Sequence, residues 1–168
     1  MKIFLIGFMG CGKSTLGKKL ATKLGYNLID LDHKVEEVTG SSIADFFSSN
    51  GEEVFRKLES DTLKTISYPE NCVIATGGGT PCYFDNMEWM NENGLTIYIE
   101  MPATALAKRL DNGTGKRPLL EGLTAEALIA FIEEKIAGRL SYYQKAQHTV
   151  SGINLTPDAL RALVLSQD

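Results

Sequence analysis

The sequence contains no long apolar run, so no segment of it is expected to cross a membrane. It also begins without an apolar stretch followed by small residues, which is the pattern of a secretory signal. Cysteine is scarce: the chain has 3 cysteines, an odd number without CxxC spacing, which argues against a disulfide framework or a structural zinc site. These absences predict a cytoplasmic protein that has no membrane partner.

A surplus of positive charge is also absent. The formal net charge is −4 at pH 7, which argues against nucleic-acid binding as the main activity. Only five of the 17 basic residues are arginine. Arginine binds carboxylates and phosphates through two parallel hydrogen bonds, whereas lysine suits a solvated surface. Four of the five arginines lie in the motifs described below, which indicates an anionic substrate in addition to a nucleotide.

A complete phosphate-binding loop is the strongest pattern that the sequence does contain. Residues 7–15 read GFMGCGKST, follow the apolar run 2–6 and open a helical pattern that is expected to stop at Gly25. The glycines let backbone N–H groups approach a phosphate, the lysine reaches the β and γ phosphates, and the serine can bind Mg²⁺. A glycine-rich turn that binds nothing is the alternative. The predicted nucleotide-binding residues are Gly10, Cys11, Gly12, Lys13, Ser14 and Thr15, and Ser14 is also the predicted metal ligand.

Strand-length apolar runs alternate with helical patterns along the chain. This alternation predicts a three-layer α-β-α fold, in which helices cover both faces of a mostly parallel sheet. Two helical segments near 41–49 and 51–66 lengthen the connection between the second and third strands, and such extra residues usually build a substrate-binding segment, here about 32–60. At 168 residues the chain is expected to be a single domain over 1–168. The predicted strands are 2–6, 27–31, 72–75, 95–100 and 147–151.

Residues 111–123 interrupt the alternation. They contain three glycines and a proline and have no apolar periodicity, so they form either a mobile lid or a plain surface loop. Their arginine, Arg117, is accordingly either a residue of that lid or a solvated loop arginine. An apolar stripe resumes on a helix that is expected to start near Thr124, and Arg139 lies at the edge of this stripe.

Acidic residues follow the second predicted strand but not the third. Asp30 and Asp32 are two residues apart, so the alternation of an extended chain predicts both carboxylates on one side. The third strand runs instead into TGGGTP at 76–81, without the aspartate that assists Mg²⁺ in many phosphate-loop proteins. One aspartate could therefore support the metal while the other accepts a hydroxyl proton, or both could merely cap the next helix.

Carboxylates also flank one of the arginines. Glu52 and Glu59 lie four residues before and three residues after Arg56, so on a helix both could brace its guanidinium. A surface ladder of ion pairs would have the same spacing.

Six motifs follow one another along the chain: GFMGCGKST at 7–15, DLD at 30–32, FRKLE at 55–59, TGGGTP at 76–81, RPLL at 117–120 and RLSYY at 139–143. Taken together, these motifs resemble the shikimate kinase family over nearly the whole chain. Only the phosphate loop is shared widely, whereas the combination of motifs is specific. The resemblance implies a nucleoside-monophosphate-kinase-like phosphate-loop fold with strand order 2-3-1-4-5. It also implies that ATP phosphorylates the 3-hydroxyl of shikimate, giving 3-phosphoshikimate and ADP on the way to chorismate and the aromatic amino acids.

The resemblance further implies how the substrate is bound. Asp32 would bind the hydroxyls of shikimate and act as the general base. Arg56 and Arg139 would clamp the carboxylate of shikimate, with backbone N–H groups of the triple glycine alongside. The glycines concerned are Gly77, Gly78 and Gly79.

On the nucleotide side, the resemblance implies ATP as co-substrate and Mg²⁺ as cofactor. Asp30 would support Mg²⁺ through water. Lys13 and Arg117 would act on the transferring phosphate, with Arg117 reaching in from a lid at about 111–123. Arg109 would flank the adenine, although the segment SGINLTP at 151–157 lacks the basic residue that some members have near the base.

Two other functions stay open on the sequence. One is a different small-molecule kinase of the same fold, such as a gluconate kinase, and the other is a catalytically silent nucleotide-binding module. A GTPase switch would need a base-selective motif such as N-K-x-D, which the sequence lacks. The expected partners are thus shikimate and ATP, without nucleic acid, and the protein is expected to be a monomer.

Overall fold

A five-stranded sheet forms the centre of the computed structural model, which describes residues 1–111 and 122–168. The strands are β1 (Lys2–Ile6), β2 (Asn27–Asp30), β3 (Cys72–Ala75), β4 (Leu95–Glu100) and β5 (His148–Ser151). Their order is β2-β3-β1-β4-β5, and every neighbouring pair is parallel. The predicted parallel sheet and its strand order are therefore confirmed.

Helices pack on both faces of this sheet. They are α1 (Lys13–Leu24), α2 (Leu31–Thr39), α3 (Ile43–Thr65), α4 (Asn86–Asn93), α5 (Ala103–Asp111), α6 (Ala125–Tyr143) and α7 (Pro157–Leu165), and a 3₁₀ turn spans Thr80–Cys82. Side chains of β1 alternate between two apolar clusters, because successive residues of a strand point to opposite faces. Ile3 and Leu5 join the cluster with α1, α5, α6 and α7, whereas Phe4 and Ile6 join the one with α3 and α4.

The phosphate loop connects β1 to α1. Gly12 precedes the helix with φ 101°, a left-handed conformation that glycine adopts without steric cost. Its carbonyl accepts the first helical hydrogen bond, from Leu16 N–H at 2.8 Å. Helix α1 ends at Leu24 and is followed by Gly25, as predicted. The turn places the helix N-terminus, where backbone N–H groups attract anions, at the carboxyl edge of the sheet.

The segment after β2 corrects one sequence prediction. Strand β2 ends at Asp30 and α2 begins with the next residue, so Asp30 and Asp32 do not lie on one side of an extended chain. The Asp30 carboxylate instead accepts a hydrogen bond from His33 N–H at 3.3 Å and caps α2, while Asp32 lies in the first helical turn. The capping interaction ends the strand one residue early. Both carboxylates nevertheless remain beside the phosphate loop.

Helix α3 contains both helical segments that were predicted near 41–49 and 51–66. Ser42 caps it by accepting a hydrogen bond from Asp45 N–H at 3.1 Å. Gly51, with φ 84° and ψ 171°, interrupts the helix and divides it into the two parts that the sequence indicates. That the region 32–60 forms a substrate-binding segment of a single domain stays a prediction.

The start of α6 agrees with the sequence. Thr124 caps α6 by accepting a hydrogen bond from Ala127 N–H at 3.1 Å, at the start that was predicted. Within the described part of the chain, no helix combines the length and apolarity that a membrane crossing requires. The predicted lid at 111–123, including Arg117, falls almost wholly outside the described residues, and its role stays a prediction.

Candidate active site

A cavity of about 540 Å³ opens at the carboxyl edge of the sheet, beside the N-terminus of α1. Ligands of open α/β sheets bind in this position. The predicted site residues that line the cavity are Gly10, Gly12, Lys13, Ser14, Thr15, Asp32, Gly77, Gly78 and Arg109. The fold therefore brings together four separate stretches of sequence at one place.

Lys13 lies buried within the phosphate loop. Its ammonium donates hydrogen bonds to the carbonyls of Gly7 and Phe8, at 2.5 and 3.1 Å. The Sγ atom of Cys11 lies 3.8 Å from the same ammonium, and the Cys11 side chain is fully buried. The side chain of Cys11 is thus a packing element, so the part of this residue that could meet a phosphate is its backbone.

Ser14 lines the cavity and is hydrogen-bonded to Asp30 behind it. The Ser14 hydroxyl donates to Asp30 Oδ2 at 3.3 Å, so the helix-capping aspartate also reaches the phosphate loop. Among residues 1–111 and 122–168, no three His, Cys, Asp or Glu side chains form a metal cage. Mg²⁺ does not require one, because it retains water and binds substrate phosphates through few protein oxygens. The donor set at Ser14 and Asp30 fits such an ion.

Asp32 combines access to water with an acidic neighbourhood. Its side chain is exposed to the cavity, yet the concave site removes much of its hydration. This desolvation, followed by the charges of Asp30 and Glu59, raises the pKa of Asp32 to about 6, against the opposing effect of Lys13. Such a pKa suits a carboxylate that accepts a proton near neutral pH, because proton transfer is most efficient near the operating pH.

Arg56 is fixed on three sides. Its Nη1 donates to Glu59 Oε1 at 3.0 Å, its Nε lies 3.6 Å from Glu52 Oε1, and its guanidinium carbon lies 4.3 Å from the centroid of the Tyr83 ring. The expectation that both glutamates brace Arg56 is confirmed. The buried Nε atom has no hydrogen-bond acceptor among the described residues. An anionic ligand would satisfy that donor.

Arg139 shows the same deficiency. Its Nη1 atom is buried and has no hydrogen-bond partner in the described part of the chain. A Cβ on Gly78 would lie 3.3 Å from this Nη1, and a Cβ on Gly79 would lie 2.6 Å from Nη1 and Nη2 of Arg56. The two guanidinium groups therefore lie against neighbouring glycines of one turn, and a Cβ on Gly79 would displace the guanidinium of Arg56. Tyr143 orients this turn by donating to the Gly78 carbonyl at 2.5 Å.

Arg109 lies on the opposite side of the cavity, on α5. Its Nη1 donates to the carbonyls of Cys11 and Gly10, at 3.3 and 3.5 Å, so it contacts the back of the phosphate loop. The cavity continues from Arg109 to Gly152 and Leu155, which follow β5. This arrangement is compatible with a base between α5 and the segment after β5. The adenine contact of Arg109 stays a prediction, as does the action of Arg117, which the structure does not describe.

Sequence reasoning missed several residues of the site. Tyr83 stacks on Arg56, Tyr143 holds Gly78, and Thr80 donates to Glu59. Tyr143 closes the apolar stripe of α6 and so could have been identified as buried. Tyr83 and Thr80 follow the triple glycine within a few residues, but no spacing pattern relates them to Arg56 or Glu59.

The model of the shikimate kinase family matches residues 9–166 of the chain. The chain belongs to this family. The match covers the cavity and all five arginines, and it confirms the family that the motifs predict and the class of ATP-dependent phosphotransferase. Site assignments within the family stay predictions for this chain.

Curated relatives and solved structures agree with that result. The chain is 43% identical over 148 residues to the shikimate kinase of Parabacteroides distasonis, covering 88% of this chain and 86% of that protein. A crystal structure of shikimate kinase from Bacteroides thetaiotaomicron superposes with a TM-score of 0.92 at 37% identity, covering 99% of this chain and 97% of the other. Shikimate kinase from Acinetobacter baumannii in complex with shikimate gives a TM-score of 0.84 at 30% identity, with coverage of 99% and 91%. The predicted kinase fold is thus confirmed.

Proposed function

We propose that the protein transfers the γ-phosphate of ATP to the 3-hydroxyl of shikimate, giving 3-phosphoshikimate and ADP. The observation that carries this proposal is that the guanidinium groups of Arg56 and Arg139 lie against a glycine turn beside the phosphate loop, and that each has one buried nitrogen, Arg56 Nε and Arg139 Nη1, without a hydrogen-bond partner among the described residues. Buried donors of charged groups are costly to leave without partners. A carboxylate on the acceptor substrate would satisfy both, and shikimate carries one.

The glycine turn makes room for the ring of this substrate. Gly77, Gly78 and Gly79 follow β3 directly, and Gly77 and Gly78 line the cavity. Their bare backbone lets a six-membered ring approach closely and receive backbone hydrogen bonds. We assign the carboxylate end of the ring to Arg56 and Arg139, and the hydroxyl end to Asp32, on the phosphate-loop side.

Asp32 is assigned as the general base. It lies in the same cavity as Lys13, so a hydroxyl held by Asp32 would face a phosphate held by Lys13. The carboxylate accepts the hydroxyl proton as the oxygen attacks phosphorus. Phosphoryl transfer has a loose transition state, so orienting the hydroxyl contributes at least as much as removing its proton.

Lys13 and the N-terminus of α1 bind the phosphates of ATP. Mg²⁺, held by Ser14 and through water by Asp30, would neutralise charge on the β and γ oxygens. Arg117 is assigned to the γ-phosphate on the strength of the RPLL motif in the sequence. A cation there stabilises the charge that spreads over the transferring group. We further propose that the protein acts as a cytoplasmic monomer.

A gluconate-kinase-like activity is the nearest competitor. Gluconate also carries a carboxylate, but it is an open chain and gains little from a turn of three glycines. A silent nucleotide-binding module would have no use for Arg56 and Arg139 as well as Asp32. No contact in the described residues favours either alternative over a ring carboxylate.

A coupled assay for ADP release tests the proposed function. With Mg²⁺ and ATP, we expect turnover on adding shikimate and none on adding gluconate or a nucleoside monophosphate. Phosphorus NMR of the product should show phosphate on the 3-hydroxyl. Quinate serves as a matched acceptor, because it retains the ring carboxylate but has a saturated ring with one additional hydroxyl. Turnover with gluconate and not with shikimate would refute the assignment.

A further inference from the structure

A closed circuit of buried hydrogen bonds lies behind the glycine turn. Thr80 Oγ1 donates to Glu59 Oε2 at 2.9 Å, and the Thr80 carbonyl accepts from Asn86 Nδ2 at 2.8 Å. Ser60 Oγ donates to Asn86 Oδ1 at 2.6 Å, which returns the circuit to α3 next to Glu59. All four side chains are at most 2% exposed. The circuit joins α3, the 3₁₀ turn and the start of α4 through direct hydrogen bonds between protein groups.

Glu59 is the member of the circuit that reaches the site. One carboxylate oxygen of Glu59 accepts a hydrogen bond from Arg56 Nη1 at 3.0 Å, and the other accepts one from the Thr80 hydroxyl at 2.9 Å. A Cβ on Gly77 would lie 3.1 Å from Glu59 Oε2 and 3.2 Å from Asp32 Oδ1, so the two carboxylates flank the same glycine. Glu59 must therefore remain oriented toward Arg56 although a like charge lies nearby.

We propose that Thr80 is a positioning residue for shikimate binding, whose hydroxyl holds the Glu59 carboxylate in the orientation that fixes Arg56. This inference rests on the proposed function. Thr80 itself does not line the cavity, and its hydroxyl is bonded to Glu59 on α3. It acts through Glu59, and it also ties the glycine turn to α3 and α4 through its carbonyl.

Removal of the hydroxyl should have a defined effect. Without Thr80 Oγ1, one oxygen of the buried Glu59 loses its donor, and burial already raises the pKa of this carboxyl. Glu59 can then turn or take up a proton, and in both cases Arg56 loses its fixed partner. A hydrogen bond to a charged group is worth about a factor of ten or more in binding. The loss should appear in shikimate binding and not in the phosphate loop.

The test compares Thr80→Val, which removes the hydroxyl and keeps the shape, with Thr80→Ser, which retains the hydroxyl. We expect Thr80→Val to raise the KM for shikimate about 10-fold, with kcat within about twofold of the wild-type value. Thr80→Ser should keep the wild-type KM. The affinity for ADP, measured by calorimetry, should be unchanged in both. Thr80→Ala, which also lacks the hydroxyl, replaces Thr80→Val if the latter does not bind ADP.

Thr96→Val is the matched control. Thr96 is also fully buried and bonds through its hydroxyl, to Asn91 Oδ1 at 2.6 Å and from Gln147 N–H at 2.9 Å. It lies at the start of β4, at the edge of the sheet opposite the cavity. Its replacement should lower the melting temperature without changing the KM for shikimate.

Glu59→Gln, combined with Thr80→Val, should raise KM no further than Glu59→Gln alone, because both changes act on the same contact.

The outcomes separate the two proposals. A wild-type protein that phosphorylates shikimate, with a Thr80→Val variant of unchanged KM, overturns the positioning role alone. Equal changes in KM for Thr80→Val and Thr96→Val also overturn it, since the effect would then follow stability. A wild-type protein without activity toward shikimate overturns the proposed function and the positioning role with it.

Discussion

Asp32→Asn is expected to lower kcat by about 10²-fold while ADP binding stays intact. The amide retains the shape and can accept a hydrogen bond from the substrate, but it neither takes a proton nor carries a charge. General-base assistance is typically worth about 10²–10⁴, and a loose phosphoryl-transfer transition state favours the lower end. Steady-state kinetics at saturating shikimate and ATP, with calorimetry for ADP, measure both quantities. Wild-type kcat in this variant would contradict the assignment of Asp32 as base.

Asp45→Asn supplies the control for that variant. Asp45 lies in the first turn of α3, as Asp32 lies in the first turn of α2, so both changes remove a negative charge near a helix N-terminus. Only Asp32 lines the cavity. We expect Asp45→Asn to retain the wild-type kcat. The pKa of about 6 for Asp32 predicts that kcat/KM of the wild type falls as the pH drops below that value. This fall should be absent in Asp32→Asn.

Arg139→Ala and Arg56→Ala should each raise the KM for shikimate by about 10- to 100-fold. A charge-assisted contact to a carboxylate contributes roughly 1.5–3 kcal/mol, which converts to this range. Calorimetric titration with shikimate in the presence of ADP measures the loss directly. Arg161→Ala is the control, because Arg161 is exposed on α7, whereas Arg56 and Arg139 are held against the glycine turn. Normal shikimate binding by both site variants would show that the two arginines are structural.

The two arginine variants should differ in stability. Arg56→Ala leaves Glu59, which is 1% exposed, without its ion-pair partner, and an uncompensated buried charge is strongly destabilising. Arg139→Ala removes a group whose buried Nη1 has no hydrogen-bond partner among the described residues. The melting temperature should therefore fall more for Arg56→Ala than for Arg139→Ala.

The phosphate loop, α1 and the sheet order could be predicted because their signals are local or come from the family pattern. A phosphate-loop motif lies between a strand and a helix, so the motif alone locates the end of the strand and the start of the helix. The pairing of Arg56 with Glu52 and Glu59 was predictable for the same reason, since helix spacing determines it.

The end of β2 at Asp30 and the helical position of Asp32 could not be predicted from the alternation of side chains along a strand. A strand and a capped helix start compete for the same residues, and the capping bond from His33 N–H to Asp30 ends the strand. The Thr80 circuit was beyond prediction for a different reason. It joins residues up to 26 positions apart, and its geometry depends on how α3 and α4 pack on the sheet. No spacing in the sequence encodes that packing.

The desolvation of Asp32, together with the charges of Asp30 and Glu59, makes the stability of the folded protein depend on pH. The folded protein binds a proton at Asp32 more tightly than the unfolded chain, in which this carboxyl has its ordinary pKa of 3.8. The stabilising contribution of protonation is therefore complete below that pH and is lost as the pH rises through about 6. The ionised Asp32 carboxylate, which we propose as the general base, forms over the same interval. The melting temperature of Asp32→Asn relative to wild type should thus increase from about pH 4 to about pH 7, and a difference that does not change with pH would contradict it. As far as this residue is concerned, the pH at which the protein is most stable to heat should be lower than the pH at which turnover is fastest.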